Sequence, residues 1–219
     1  MKFIIDKRFD TKVERSDRVL EVAEAFGLGL TDKQFIIYDH LEIEVHQGDV
    51  IYISGQSGSG KSLLLRDLAD LLSKAGKQIA NIDEVEMQDI PLVDQIGEST
   101  ENALKLMNMA GLNDAYLFMR KPSELSDGQR YRFRLAKLIE SGAEVWVADE
   151  FAAVLDRETA KIVAHNVRNA TQKCGATLIC ATTHTDLVNY LAPTLTVEKL
   201  YGERVDLTRY EWEKKNESI

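Results

Sequence analysis

One stretch decides the fold of this chain: Gly55-Gln56-Ser57-Gly58-Ser59-Gly60-Lys61-Ser62. It follows the apolar run 50–53 and leads into the leucine-rich segment 63–68, which is the order of strand, glycine-rich loop and helix in a phosphate-binding loop. Because glycine lacks a Cβ, backbone N–H groups in such a loop can turn inward around phosphate oxygens. The start of the following helix adds unpaired N–H groups and the positive end of its dipole. The stretch therefore predicts a nucleoside triphosphate site.

Two side chains in this loop are expected to bind the phosphates and their metal ion. We expect Lys61 to reach the β- and γ-phosphates, and the hydroxyl of Ser62 to complete a Mg²⁺ shell made largely of phosphate oxygens and water. The sequence thus predicts that the loop binds a nucleoside triphosphate such as ATP together with Mg²⁺. The residues expected around the nucleotide here are Gly55, Gln56, Ser57, Gly58, Ser59, Gly60, Lys61, Ser62 and Leu63.

Composition limits the classes of function. The 219 residues carry a net charge of −9 and are 44% hydrophobic, which is typical of a soluble globular protein. This length allows either one large α/β domain or a core with a small subdomain. The acidic balance argues against a surface that generally attracts nucleic acid or anionic membrane. Cys174 and Cys180 are interpreted as reduced core thiols. With no apolar run long enough to span a membrane and no secretory signal pattern, we expect a cytoplasmic protein.

The order of elements indicates an α/β fold. Residues 2–54 are predicted to be mostly strands, including an antiparallel strand over 41–45, with a helix over 18–27. Beyond the phosphate loop, strands alternate with helices, which favours a mostly parallel sheet with helices on both faces. Residues 83–124 lose this regularity and are interpreted as a small helical subdomain. Residues from 211 onward are expected to form a solvated helix or a frayed tail.

Carboxylates follow a second buried strand. Asp149 and Glu150 end the apolar run 145–148, where Asp149 is placed to bind Mg²⁺ through water and Glu150 to polarise an attacking water. Ser126 stands at a predicted helix start, which suits either an ordinary cap or an anion site. His184 follows the strand 177–181; it is either structural or a hydrogen-bond donor to a γ-phosphate.

Together and in this order, these stretches resemble the nucleotide-binding domains of the ABC ATPase superfamily. Segment 55–62 is similar to Walker A, 125–129 to the LSGGQ signature and 145–150 to Walker B with its catalytic glutamate. Segment 153–156 is similar to the D-loop. The resemblance covers about residues 20–205 and includes stand-alone soluble members of archaea and phages, related to ones fused to acetyltransferases.

The resemblance implies a P-loop NTPase fold of ABC type over residues 1–219, with an N-terminal antiparallel β region (1–54) and a reduced helical subdomain (83–124). It implies ATP hydrolysis by a head-to-tail homodimer, in which each ATP lies between Walker A of one copy and the signature of the other. Catalysis would fall to Glu150, His184 and Lys61. The further residues implied in nucleotide or metal contacts are Ser126, Gly128, Gln129 and Asp156 for the dimer interface, and Gln88 as the Q-loop ligand beside Ser62 and Asp149.

The sequence also departs from the family pattern. Asp127 replaces a signature glycine, and Phe151 replaces the usual proline after the glutamate. For the aromatic that stacks on adenine, Phe26 is the first candidate and Tyr38 the second, and core packing explains either equally well.

The spacings around Gln88 are shorter than in transporter domains, which favours an unidentified soluble protein partner. A membrane transporter subunit, a nucleic-acid clamp and a small-molecule kinase remain as alternatives.

Overall fold

The structure, a computed structural model, describes residues 1–30 and 33–211. The strands are β1 (Lys2–Thr11), β2 (Lys33–Glu44), β3 (Val50–Gly55), β4 (Ile79–Asn81), β5 (Val145–Ala148), β6 (Thr177–Thr182), β7 (Leu195–Lys199) and β8 (Val205–Arg209). The helices are α1 (Asp17–Phe26), α2 (Lys61–Lys74), α3 (Thr100–Met109), α4 (Ala115–Phe118), α5 (Asp127–Glu140), α6 (Arg157–Cys174) and α7 (Val188–Leu191). The predicted tail lies mostly outside the described residues.

A six-stranded sheet forms the centre of the fold, in the order β4-β5-β6-β3-β7-β8. All neighbours in it are parallel except β7 and β8, which form an antiparallel hairpin. Strand β3 lies between β6 and β7, and all of its first four side chains are buried. The predicted mostly parallel sheet is confirmed.

Helix α2 lies between two β layers. Its leucines, Leu64, Leu65, Leu68 and Leu72, pack in one core with Ile51 of β3. Residues of β1 and β2 belong to the same core, so the antiparallel pair β1-β2 covers the outer side of α2. A second core on the other face of the parallel sheet joins α3, α5 and α6. The phosphate loop therefore connects a strand and a helix that are each held in place by packing on two sides.

The N-terminal region differs from its prediction in two details. The short strand predicted over 41–45 is the end of one longer continuous strand, β2, because His40 adopts a left-handed φ of 47° and the pairing with β1 absorbs the irregularity. Strand β3 belongs to the parallel sheet, so the antiparallel layer ends at Glu44. Helix α1 matches its prediction and stops at Gly27, which has the left-handed conformation common at helix ends.

Segment 83–124 contains α3, α4 and single 3₁₀ turns, among them Leu92–Asp94 and Pro122–Glu124. Ala103 and Met107 of α3 are fully buried in the core that also contains α5. The assignment of this segment as a subdomain, and of 1–219 as one domain, stays a prediction.

Two further observations concern single features. Cys180 is buried in β6, but Cys174 is exposed at the end of α6, so the expectation of a core thiol is wrong for Cys174. Among residues 1–30 and 33–211, no helix has the length and apolar character needed to cross a membrane.

Candidate nucleotide-binding site

The phosphate loop closes around its own lysine. Lys61 is buried, and its ammonium donates a hydrogen bond of 2.6 Å to the carbonyl oxygen of Gln56, across the loop. Burial lowers the pKa of this ammonium, while the carboxylates of Asp149 and Glu150 act in the opposite direction. The positive charge is thus held inside the loop, where it faces carboxylates and would meet an anion.

Three observations show that the loop fits phosphate. The Oγ of Ser59 is buried and has no hydrogen-bond partner within the described part of the chain. The α2 N-terminus begins after Gly60 with no capping side chain, which leaves its N–H groups to an external acceptor. A Cβ on Gly60 would lie 2.7 Å from Cγ2 of Ile37, and the φ of Gly60 is 105°, so only glycine suits this position.

Oxygen donors meet where α2 begins and β5 ends. The hydroxyl of Ser62 donates to Oδ1 of Asp149 at 3.0 Å. The other oxygen of Asp149 lies 3.9 Å from the guanidinium of Arg66. A hydroxyl and a carboxylate are hard oxygen ligands of the kind Mg²⁺ prefers. This pair therefore fits the metal that the sequence implies.

Glu150 occupies an unusual turn after β5. The carboxylate is exposed, and Glu150 and Ala152 have φ values of 47° and 60°, which non-glycine residues rarely adopt. The backbone N–H of Glu150 donates to Oδ1 of Asp149 at 3.0 Å. The turn thus presents the carboxylate to solvent directly beside the Ser62–Asp149 pair.

A cavity of about 190 Å³ opens beside this turn. Asp83, Arg134, Asp149 and Glu150 line it. Burial raises the pKa of Asp83, as do Asp149 and Glu150, whereas Arg134 lowers it. Several acidic groups and two guanidinium groups, those of Arg130 and Arg134, therefore share this space.

Gln88, the predicted metal ligand, is not among the residues that line this cavity. Its side chain is exposed, and its backbone N–H donates to Oε1 of Gln95 at 2.9 Å. Asp83 follows β4, the neighbour of β5, and so reaches the edge at which Asp149 lies. Asp83, rather than Gln88, is the residue that the structure brings to the carboxylates.

The signature segment starts helix α5. Ser126 and Gln129 form a reciprocal capping box: Gln129 N–H donates to Ser126 Oγ at 3.3 Å, and Ser126 N–H donates to Gln129 Oε1 at 2.9 Å. Asp127 forms an ion pair with Arg130. Gly128 lies against Leu155, with only 3.1 Å between its virtual Cβ and Cδ2 of that leucine. Ser126 remains exposed, and the positive end of α5 faces outward with it.

His184 and Asp156 are held by the backbone around them. The carbonyl of His184 accepts a hydrogen bond from the buried hydroxyl of Tyr52, and its N–H donates to Thr182 Oγ1 at 3.1 Å. The half-buried imidazole follows β6, one strand away from the phosphate-loop strand. Asp156 caps α6 through its contact with Thr159 N–H at 3.0 Å, which lowers the pKa of Asp156.

The two aromatic candidates differ sharply. Tyr38 is fully buried and donates its hydroxyl to the carbonyl of Gly60 at 3.0 Å, while the ammonium of Lys199 lies 5.4 Å from the centre of its ring. Its ring is a support beneath the loop and is closed to a base. Phe26, at the end of α1, is 75% exposed.

Sequence reasoning missed three residues of this region. Asp83 had a usable signal, because it follows a short strand that a parallel sheet places beside β5. Lys199 and Tyr131 had no usable sequence signal. Lys199 is the last residue of an ordinary strand, and Tyr131 is one of several apolar-face residues of an ordinary amphipathic helix.

Comparison with known proteins agrees with this geometry. The sequence profile of the family described as ABC transporter matches residues 38–153. The cytochrome c biogenesis ATP-binding export protein CcmA of Sphingopyxis alaskensis is 33% identical over 148 residues, which are 59% of this chain and 74% of that protein. The methionine import ATP-binding protein MetN of Rhizobium etli is 25% identical over 233 residues, and this chain spans 61% of its length.

A solved structure shares the fold. The ATP-binding cassette MJ0796, in a dimeric post-hydrolysis state bound to ADP and Pi, has a TM-score of 0.66 at 16% identity, covering 96% of this chain and all of that one. The profile match over more than half of the chain, together with a relative that is 33% identical and covered over 74% of its length, shows the family. This chain belongs to the ABC transporter family, as an ATP-hydrolysing nucleotide-binding domain.

Proposed function

We propose that this chain is the ATPase subunit of an ABC transporter, working in the cytoplasm as a head-to-tail dimer that drives a membrane-spanning subunit on another chain. The observation that carries the ATPase role is the convergence of Lys61, Ser62, Asp149 and Glu150 at one edge of the sheet. The cavity beside Glu150 is lined by Asp149 as well and so opens at that edge.

The substrate-side roles follow from the chemistry of each group. The N–H groups of 55–63 and the ammonium of Lys61 bind and orient the phosphates. Ser62 and Asp149 would hold Mg²⁺, which when bound neutralises charge on the β- and γ-phosphate oxygens. Glu150 accepts the hydrogen bond of a water aligned with the γ-phosphorus, and His184 orients the same phosphate from the end of β6. Phe26 offers its exposed ring to the adenine.

The dimer completes the site. Ser126 and Gly128, at the exposed positive end of α5, would meet the γ-phosphate held by the partner's Lys61. Asp156 lies on the turn that packs against Gly128 through Leu155 and would face the partner across the interface. The MJ0796 cassette, which shares this fold, is dimeric, which supports the same arrangement here.

The relatives favour a membrane subunit over the soluble partner that the short spacings suggested. CcmA is named as an export protein and MetN as an import protein. Because these directions are opposite, the names support a transporter without indicating its cargo. The soluble partner remains the second candidate, since segment 83–124 contains only one helix longer than a single turn.

The dimer is tested by measuring the solution mass of the Glu150→Gln variant with and without Mg-ATP. Removing the group that activates water should trap ATP, so the mass should double from 24.7 kDa only when the nucleotide is present. The Lys61→Ala variant of the same protein is the control and should stay monomeric. If the Glu150→Gln variant binds Mg-ATP but remains monomeric at a protein concentration of roughly tens of micromolar, the proposed homodimer is contradicted.

The partner is tested by the rate of ATP hydrolysis after adding native membranes or native cytosol to the wild-type protein. Stimulation by the membrane fraction alone supports the transporter assignment. Stimulation by cytosol alone supports the soluble partner and rejects the membrane subunit.

A further inference from the structure

The turn that carries Glu150 needs external support. Glu150 and Ala152 both adopt left-handed backbone conformations that disfavour side chains with a Cβ. Such conformations persist only where the surroundings hold them. The hydrogen bonds to this turn therefore decide where the Glu150 carboxylate points.

The sheet supplies two of these bonds. The N–H of Phe151 donates to the carbonyl of Ala181 at 2.8 Å, and the hydroxyl of Thr182 donates to the carbonyl of Phe151 at 3.2 Å. Both partners lie on β6, next to β5 in the same sheet. These bonds fix Phe151 relative to the sheet, but neither of them provides an acceptor for the N–H of Ala152.

Helix α5 supplies the bond to Ala152. The hydroxyl of Tyr131 accepts from the N–H of Ala152 at 3.0 Å, in a buried environment. The ring of Tyr131 also meets the ring of Phe151 edge to face, with centroids 6.5 Å apart and planes at 72°. Burial raises the pKa of Tyr131, so its hydroxyl stays neutral. One tyrosine thus holds the turn through a hydrogen bond and a ring contact.

We propose that Tyr131 is a positioning residue, which transmits the placement of helix α5 to the carboxylate of Glu150. This inference rests on the role of Glu150 proposed above. The same helix begins at Ser126, which would touch the nucleotide of the partner. Contact between Ser126 and that nucleotide would fix the position of helix α5. Through Tyr131 and Ala152, it would therefore also orient the Glu150 carboxylate toward the nucleotide bound by the same chain.

The Tyr131→Phe variant tests this route, because it keeps the ring contact with Phe151 and removes only the acceptor for Ala152. We expect kcat for ATP hydrolysis to fall at least about tenfold, since small misplacements of a catalytic group are costly. KM for ATP and ATP-dependent dimerisation should not change, because the phosphate loop and Ser126 are untouched. The matched control is Tyr116→Phe on α4, where the tyrosine is 68% exposed and kcat should stay at the wild-type value.

A structural role and a positioning role give different results. An unchanged kcat in Tyr131→Phe, or a parallel loss of ATP binding and kcat, overturns the inference. In a Glu150→Gln background, adding Tyr131→Phe should leave the residual turnover unchanged, and a further independent loss also overturns it. If Glu150→Gln alone retains wild-type turnover, the proposed role of Glu150 fails, whatever Tyr131→Phe shows.

Discussion

Gly60 is the residue at which backbone conformation and nucleotide binding meet. It has a φ of 105°, precedes the first residue of α2, and leaves no room for a Cβ beside Ile37. Its carbonyl also accepts the hydroxyl of Tyr38. Any side chain there would displace the loop from the strand that supports it.

We expect Gly60→Ala to lose ATP binding, measured by titration with a fluorescent ATP analogue. The left-handed backbone alone should cost about 1–2 kcal/mol of unfolding free energy, and the clash moves the loop in addition. Gly76→Ala is the control: its φ is 87° and a Cβ there would meet nothing within 4 Å. Equal ATP affinity in the two variants would show that the Gly60 contact with Ile37 is irrelevant to the loop.

Single residues also show the limits of prediction from sequence. Lys61, Ser62, Asp149 and Glu150 were predicted together because strand and loop order fixes their positions at one sheet edge. Tyr38 could not be distinguished in sequence from an exposed stacking aromatic, because its role depends on burial by β1 and α2. The role of Gln88 was assigned by resemblance alone, and chain geometry instead brings Asp83 to the carboxylates.

At the scale of elements, the sequence pattern predicted the bounds of β5, β6 and α1 to within one residue. Strand β5 matches its prediction because four apolar residues end abruptly at two carboxylates. Helix α7 begins two residues after Asp186, whose carboxylate lies 2.9 Å from Nε of Arg157 at the start of α6. That ion pair joins segments distant in sequence, and no local pattern reveals it.

An ion pair also ties β5 to the segment after α2. The ammonium of Lys77 lies 2.5 Å from the carboxylate of Glu144, and the N–H of Gln78 donates to the same carboxylate. These bonds, with Lys77 the larger cause, lower the pKa of Glu144 below its ordinary value of 4.5. The pair therefore stabilises the fold at neutral pH through the charged form.

We expect Glu144→Gln to unfold at a lower urea concentration than the wild type near neutral pH. Because the folded pKa of Glu144 is depressed, its contribution is full above 4.5, the unfolded value, and disappears as pH falls through the lower folded value. The midpoints of the two proteins should thus converge in acid. Glu21→Gln, an exposed change on α1, should show no such convergence, and a pH-independent gap for Glu144→Gln would contradict the charge-based explanation.

At the scale of the whole molecule, two of the serine residues that cap helices allow helix stability and dimer assembly to be tested separately. Ser126 and Ser99 both cap helices, with their Oγ atoms accepting N–H groups at 3.3 and 3.2 Å, and both are exposed. Of these two serines, the proposed head-to-tail dimer assigns a nucleotide contact only to Ser126. A matched pair of substitutions therefore isolates that contact.

We expect Ser126→Ala and Ser99→Ala each to cost about 1 kcal/mol of unfolding free energy, the usual value of a lost cap. In the Glu150→Gln background, only Ser126→Ala should weaken ATP-dependent dimerisation, measured as the protein concentration at half-maximal dimer mass. If both caps weaken it equally, helix stability alone explains the effect and the nucleotide contact of Ser126 is wrong.

The central position of β3 determines how late in translation its part of the sheet can form. Val50 pairs with Leu178 and Ile51 with Leu195, so both neighbours of the phosphate-loop strand are translated long after it. Until they emerge from the ribosome, β3 has two open edges and its apolar side chains have no sheet to join, which exposes a nascent chain to aggregation. The phosphate loop is synthesised early, but both strands that flank its own strand in the sheet are present only after residue 199 has been added.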